Sequence, residues 1–139
     1  MVLIVCLDEK HGMLFNRRRQ SQDVVVREDI LALSAGKTLW MNEYSAKQFP
    51  TDALVTVAED CLAQAGAGEF CFIENLDALP YAEQVEQVIV YQWNRRYPAD
   101  FYFTLPLDAP EWVLQQTFEF PGKSHEKITK EVYHHERTQ

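Results

Sequence analysis

Strand-like and helix-like segments alternate along the first two thirds of the chain, and this alternation limits the fold more than any other feature. Val2 to Leu7 is an unbroken aliphatic run, typical of a strand buried on both faces of a parallel sheet. Val26, Ile30 and Leu33 then recur at helical spacing, and Gly36 marks the end of that helix. Because parallel strands need a crossover between them, the alternation predicts an α/β domain with a mostly parallel sheet and helices on both faces.

The remaining segments complete this pattern. Apolar and β-branched runs predict further strands at 38–41, 53–55, 70–73 and 88–93, and helices at 42–49, 56–65 and 77–84, the second of them opened by a capping box of Thr56 and Glu59. Residues 8–22 have no periodicity and are expected to form a long loop. Strands at 101–105, 112–120 and 128–135 have no helix between them, so we expect them to pair antiparallel at one edge of a mixed sheet.

Composition narrows the class of protein. A chain of 139 residues with 47% hydrophobic residues is expected to fold as a single domain, 1–139. The net charge of -8 argues against general nucleic-acid binding, and the dense basic cluster is confined to Arg17, Arg18 and Arg19. Cys6, Cys61 and Cys71 lie in apolar runs, which predicts buried free thiols. With no signal-like or membrane-spanning run, the prediction is a cytoplasmic protein.

Four blocks of sequence resemble dihydrofolate reductase. They are residues 3–7 followed by Gly12, Met13 and Asn16; Asp23; residues 36–42 followed by Tyr44; and residues from 79 to 120 with 132–137. The blocks span nearly the whole chain. The resemblance implies a three-layer dihydrofolate-reductase-like fold with an antiparallel C-terminal hairpin, a mobile loop over the ligand, and a single acid at the head of the first helix.

The resemblance also implies a small heterocyclic ligand, pterin-like or nucleotide-like, in a cleft beside Asp23. The carboxylate of Asp23 would be the catalytic group, accepting the paired donors of an amidine-like edge and supporting its protonation. The alternative for Asp23 is an ordinary acid favoured at a helix N-terminus. The alternative for the arginine cluster is a solvated loop tip that binds nothing. The expected ligand-binding residues are Cys6, Gly12, Met13, Phe15, Asn16, Arg17, Arg18, Arg19 and Tyr44.

The segment that binds the cofactor in the family has a different sequence in this chain. Where dihydrofolate reductases have a Gly-Gly loop that approaches the cofactor pyrophosphate at a helix N-terminus, this chain has Glu74, Asn75, Leu76 and Asp77. Two carboxylates repel a pyrophosphate, and residues with side chains prevent close approach of the backbone. The sequence therefore disfavours NADP(H), which remains possible, and indicates no other cofactor. Whether the chain is an enzyme stays open, and any activity would be oxidoreductase-like.

Two other classes of function are considered. A non-catalytic protein could use the Arg17 to Arg19 loop or an exposed C-terminal strand for partner docking, including a homodimer. The stretch from Gly12 to Asp23 also resembles small bacterial proteins that carry the name ribonuclease Z. Such a phosphodiesterase needs clustered zinc ligands, and the histidines do not have that spacing, so no metal site is predicted. The histidines are His11, His125, His134 and His135.

Overall fold

A computed structural model describes residues 1–136 as two sheets with short helices packed around the larger one. The elements of the first half are β1 (Val2–Leu7), β2 (Gly12–Phe15), β3 (Arg18–Arg19), α1 (Val24–Leu33), β4 (Leu39–Met41), α2 (Glu43–Ala46), β5 (Thr56–Val57) and α3 (Cys61–Gln64). Those of the second half are β6 (Phe70–Phe72), a 3₁₀ helix (Leu79–Gln84), β7 (Gln87–Gln92), β8 (Phe101–Tyr102), β9 (Trp112–Phe120) and β10 (Ile128–His135).

The larger sheet has seven strands in the order β5-β4-β6-β1-β7-β10-β9. The strands from β5 to β7 run parallel, with Ile4 of β1 aligned with Phe72 of β6 on one side and with Ile89 of β7 on the other. Strand β10 is antiparallel to both β7 and β9. The predicted fold class, a mostly parallel sheet with an antiparallel C-terminal hairpin, is confirmed.

Both faces of the central strand are buried, which explains the unbroken apolar run in its sequence. Leu3, Val5 and Leu7 belong to one hydrophobic cluster, which includes residues of α3 and of the segment around the 3₁₀ helix. Val2 and Ile4 belong to the opposite cluster, which includes α1 and part of α2. Each fully buried aliphatic side chain contributes about 1.5–3 kcal/mol, so the two clusters hold helices on both faces.

Four local predictions are wrong. The predicted loop at 8–22 contains the β2–β3 hairpin, and β8 pairs with β2 in a separate three-stranded sheet instead of joining the C-terminal edge. No strand forms at 53–55; Thr56 pairs with Trp40 in a parallel ladder, so it does not cap a helix. The helix that was expected from Thr56 onward begins only at Cys61. Tertiary pairing overrides the local capping signal here.

Two further expectations concern the helices and the cysteines. Within residues 1–136, no helix has both the length and the apolar character needed to cross a membrane. All three cysteines are free thiols; Cys61 and Cys71 are buried as predicted, whereas Cys6 is partly exposed.

Candidate functional site

The carboxyl ends of β1, β4 and β6 meet at one edge of the large sheet. After β1 the next strand of this sheet is β4, on the β6 side of β1, whereas the chain from β6 leads to β7 on the opposite side, and open α/β sheets bind ligands where connections diverge in this way. Cys6 lies near the end of β1, Asn42 directly follows β4, and Glu74 follows β6. This edge is therefore the place in the fold where a ligand site is expected.

A buried carboxylate and a planar cation occupy this edge. Glu74 is 7% exposed, and its two oxygens accept from Arg19, with distances of 2.8 Å from Nε to Oε2 and 3.1 Å from Nη2 to Oε1. The hydroxyl of Ser45 donates to Oε1 of the same carboxylate at 2.8 Å. The pairing is the two-pronged one that the flat guanidinium group favours.

The aromatic ring of Tyr44 packs against the face of the same guanidinium group. The Arg19 Cζ lies 4.5 Å from the centre of the Tyr44 ring, a cation–π distance, and Nη2 donates to the Tyr44 carbonyl at 3.2 Å. The Tyr44 hydroxyl accepts from the Arg19 backbone N–H at 2.7 Å. The guanidinium is thus stacked on an aromatic ring while its edge is paired with a carboxylate.

The Cys6 thiol borders this pair. Although the residue as a whole is partly exposed, burial of its sulfur raises the pKa of Cys6 well above the usual value; the charge of Glu74 raises it further, and Arg19 opposes the shift. The thiol is therefore protonated at neutral pH, and Cys6 can line a site but does not act there as a thiolate nucleophile.

Asp23 lies at the start of α1, as the resemblance implied, but its carboxylate is fully engaged by the protein. Oδ1 accepts from the backbone N–H groups of Val25 at 2.9 Å and Lys123 at 3.0 Å. Oδ2 accepts from the N–H of Ser124 at 2.8 Å, from its hydroxyl at 3.0 Å, and from Nδ1 of His125 at 2.9 Å. Burial by itself would raise the pKa of Asp23, but these hydrogen bonds, led by that of His125, hold it well below its usual range.

The loop between β9 and β10 comes close enough to Asp23 to make these bonds because residue 122 is glycine. A Cβ on Gly122 would lie 2.5 Å from Oδ2 of Asp23 and 3.1 Å from the carbonyl oxygen of His125. Neither atom can move far, since the His125 carbonyl accepts from the Gly122 N–H and Oδ2 of Asp23 accepts from the Ser124 N–H of the same turn. The function predicted for Asp23 stays a prediction, and in this structure the group ties α1 to the hairpin loop.

The predicted ligand-binding residues do not form one cluster. Cys6, Arg19 and Tyr44 lie together at the carboxyl edge, as described above. Gly12 and Met13 are buried, the first against Asp8 and the second in the hydrophobic core. The residues at the tip of the β2–β3 hairpin are exposed to solvent: Phe15, Asn16, Arg17 and Arg18.

The turn of this hairpin holds an unusual residue. Asn16 and Arg17 have φ values of 53° and 63°, and the strand pair that they join is Phe15 with Arg18. A two-residue turn with both φ values positive is the type in which glycine strongly favours the second position. Arginine there is a strained choice, so its exposed side chain is a candidate for contact with a ligand or partner.

The polar side chains of the segment that replaces the family's glycine loop form hydrogen bonds within the protein. Glu74 is paired with Arg19, and Asn75 accepts from Asn42 Nδ2 at 2.8 Å. Asp77 accepts from the Thr104 hydroxyl at 2.6 Å and from the Leu79 N–H at 3.1 Å, and the helix that follows is a 3₁₀ helix. Within residues 1–136, no group of three or more His, Cys, Asp or Glu side chains is arranged to hold a metal ion.

Reasoning from sequence missed two parts of this arrangement. Glu74 was considered only as an obstacle to a cofactor, although a lone acid directly after a buried strand is a signal for a site at the carboxyl edge. His125 was judged only as a zinc ligand. Its contacts with Asp23 and Ser21 join positions about a hundred residues apart, which no local pattern indicates.

Comparison with known proteins shows what the fold resembles. A solved structure of dihydrofolate reductase from Enterococcus faecalis, complexed with NADP(H) and RAB-propyl, matches this chain with a TM-score of 0.69 and 13% sequence identity. The match covers 98% of this chain and 96% of that one. No protein-family model and no curated protein matches the sequence. The chain therefore has a divergent dihydrofolate-reductase-like fold, which confirms the predicted resemblance for the fold.

Proposed function

We propose that this protein binds a small planar ligand with an amidine-like edge at the carboxyl ends of β1, β4 and β6. One observation carries the proposal: the Arg19 guanidinium presents paired N–H donors to Glu74 while it stacks on Tyr44. The amidine edge of a pterin offers a carboxylate the same pair of donors on a flat ring. Arg19 then acts as an internal substitute for the ligand, and Glu74 takes the role that the sequence suggested for Asp23.

Reduction by NADP(H) is not part of this proposal. The E. faecalis enzyme is described with NADP(H), but here the corresponding segment carries Glu74 and Asp77 in place of glycines. A pyrophosphate approaching it meets the exposed carboxylate of Asp77 and no α-helix N-terminus, because the following helix is 3₁₀ and begins at Leu79. The function proposed is ligand binding on a reductase-like scaffold, with Arg19 displaced when the ligand enters.

Isothermal titration with a pterin tests the site. We expect binding to the wild-type protein and at least tenfold weaker binding to Glu74→Gln, because an amide accepts through only one oxygen. In Arg19→Met the ligand no longer displaces an internal partner, so we expect tighter binding than to the wild type. Asp52→Asn, a comparable neutralisation at an exposed position, is the matched control and should bind as the wild type does.

Two results would contradict the proposal. The first is the absence of pterin binding to both the wild type and Arg19→Met while circular dichroism shows both to be folded. The second is a thermal shift with NADPH, together with oxidation of NADPH in the presence of a pterin, which would restore the reductase function.

A second candidate, self-association, is favoured by strand β9. This strand lies at the edge of the sheet, and Val113, Leu114 and Phe118 are 38%, 47% and 47% exposed. Residues 112–118 carry no charge, so two copies of an otherwise acidic chain can approach there without like-charge repulsion. We propose that a second copy of the chain pairs with β9.

Sedimentation velocity distinguishes the dimer from a monomer. We expect a dimer for the wild type and a monomer for Leu114→Lys, which places a charge on the pairing edge. Thr51→Lys adds the same charge at an exposed position in a turn and should remain dimeric. A wild-type monomer at high micromolar concentration, or an equal loss of the dimer in both variants, would contradict this candidate.

A further inference from the structure

Ser21, His125 and Asp23 form a continuous chain of hydrogen bonds beside the start of α1. The Ser21 hydroxyl lies 2.9 Å from Nε2 of His125, and Nδ1 of His125 lies 2.9 Å from Oδ2 of Asp23. His125 and Asp23 are 4% and 3% exposed, whereas Ser21 is partly exposed. A buried imidazole and carboxylate are therefore connected to the hydroxyl of a partly exposed serine.

The hydrogen bonds determine which ring nitrogen carries the proton. An ionised carboxylate only accepts, so Nδ1 of His125 must be the donor to Asp23. In the neutral ring Nε2 is then an acceptor, and the Ser21 hydroxyl donates to it. This is the tautomer in which histidine serves as the general base for a serine nucleophile.

The surroundings hold the imidazole in place. The Trp93 ring stacks on it with centroids 4.5 Å apart and planes 23° apart, and the Tyr97 hydroxyl lies 3.3 Å from Nε2. Trp93 also lines an open pocket of about 320 Å³ with Asn94 and Lys127. The positive end of the α1 dipole lies at Asp23, whose side chain caps the helix, and it favours the ionised form of that carboxylate.

We propose that Ser21 is a nucleophile for acyl transfer from small esters, with His125 as general base and Asp23 as the residue that positions His125. This site is separate from the Arg19–Glu74 site and does not rest on the ligand proposed there. Asp23, the acid that the sequence indicated as the catalytic group, would here act only by positioning His125.

The reaction balances with water as the second substrate. Ser21 Oγ bonds to the acyl carbon while its proton passes to Nε2 of His125, and the ester C–O bond breaks as the imidazolium returns that proton to the leaving alkoxide. Water then attacks the acyl-serine with His125 again accepting a proton, and the carboxylic acid leaves as the Ser21 hydroxyl re-forms.

Labelling with a fluorophosphonate tests the nucleophile directly, because Ser21 Oγ displaces fluoride from phosphorus and the adduct is visible by intact mass and peptide mapping. We expect one adduct, at Ser21, and hydrolysis of p-nitrophenyl acetate that the label abolishes. Ser21→Ala should lose both, whereas Thr51→Ala, which removes an exposed hydroxyl elsewhere, should keep both.

Asp23→Asn separates a positioning role from a structural one. If the carboxylate fixes the tautomer, labelling of the folded variant should slow by at least 100-fold, within the usual contribution of a general base. His125 variants can fail to fold, so Asp23→Asn, which leaves the imidazole itself in place, carries the test of the general base. No adduct in folded wild-type protein, labelling that is unchanged in Ser21→Ala, or an equal labelling rate for folded Asp23→Asn would overturn the proposal.

Discussion

Replacing Asp23 with Asn keeps the size of the side chain and removes its charge, so it measures how much the tie between α1 and the β9–β10 loop stabilises the fold. The carboxylate accepts five hydrogen bonds, two at Oδ1 and three at Oδ2. An amide must put its NH₂ at one of these positions. At the Oδ2 position the Ser124 hydroxyl and the imidazole can reverse their roles, but the Ser124 N–H cannot.

The best arrangement of the amide therefore leaves one backbone donor without an acceptor and weakens the remaining bonds. An unsatisfied buried donor costs about 1–3 kcal/mol, and bonds to a charged acceptor exceed neutral ones by about 1 kcal/mol each. We expect Asp23→Asn to lower the free energy of unfolding by about 3 kcal/mol at pH 7. Urea denaturation followed by tryptophan fluorescence measures this, with Asp52→Asn expected to change it by less than about 0.5 kcal/mol.

The pH dependence of the free energy of unfolding gives an independent check that the Asp23 carboxylate stabilises the fold. The folded pKa of Asp23 is depressed, so its stabilisation is complete above the unfolded pKa of about 3.9 and is lost as the pH falls through the folded pKa. The difference between the wild type and Asp23→Asn should thus shrink below about pH 4. A difference under about 0.5 kcal/mol at pH 7, or one that grows in acid, would refute the reasoning.

Three other substitutions test separate features. Gly122→Ala forces a methyl group against Asp23 and should cost about 2 kcal/mol in thermal denaturation; full stability would show that the turn has room. Tyr91→Phe removes the 2.5 Å bond from the buried phenol to Asp29 and should cost about 1 kcal/mol in urea, whereas no loss would mean that this bond adds nothing net. Arg17→Gly relieves a φ of 63° and should stabilise by up to about 1 kcal/mol, and a loss of stability would point to an unseen role of the side chain in folding.

Strands with a continuous apolar or β-branched sequence pattern could be predicted from the sequence. Strand β1 is apolar along its whole length because both of its faces are covered, and β9 and β10 were predicted with the boundaries that the structure has. The β2–β3 hairpin was not predicted, because its turn is Asn-Arg where the usual signal is Asn-Gly. Strand β8 was assigned to the wrong sheet, since two residues carry too little pattern to choose a partner.

For the site, the sequence determined the chemistry available, and the tertiary structure decided which groups meet. A buried strand, a first helix with Asp23 near its head, and acids in place of a glycine loop were all visible in the order of residues, because each depends on neighbours along the chain. The contacts of Asp23 with His125 and of Arg19 with Glu74 join segments 102 and 55 residues apart. Such pairs form only when the sheet brings its strand ends and its hairpin loop together, so only the folded chain shows which carboxylate lies at the carboxyl edge of the sheet and which one ties α1 to the hairpin loop.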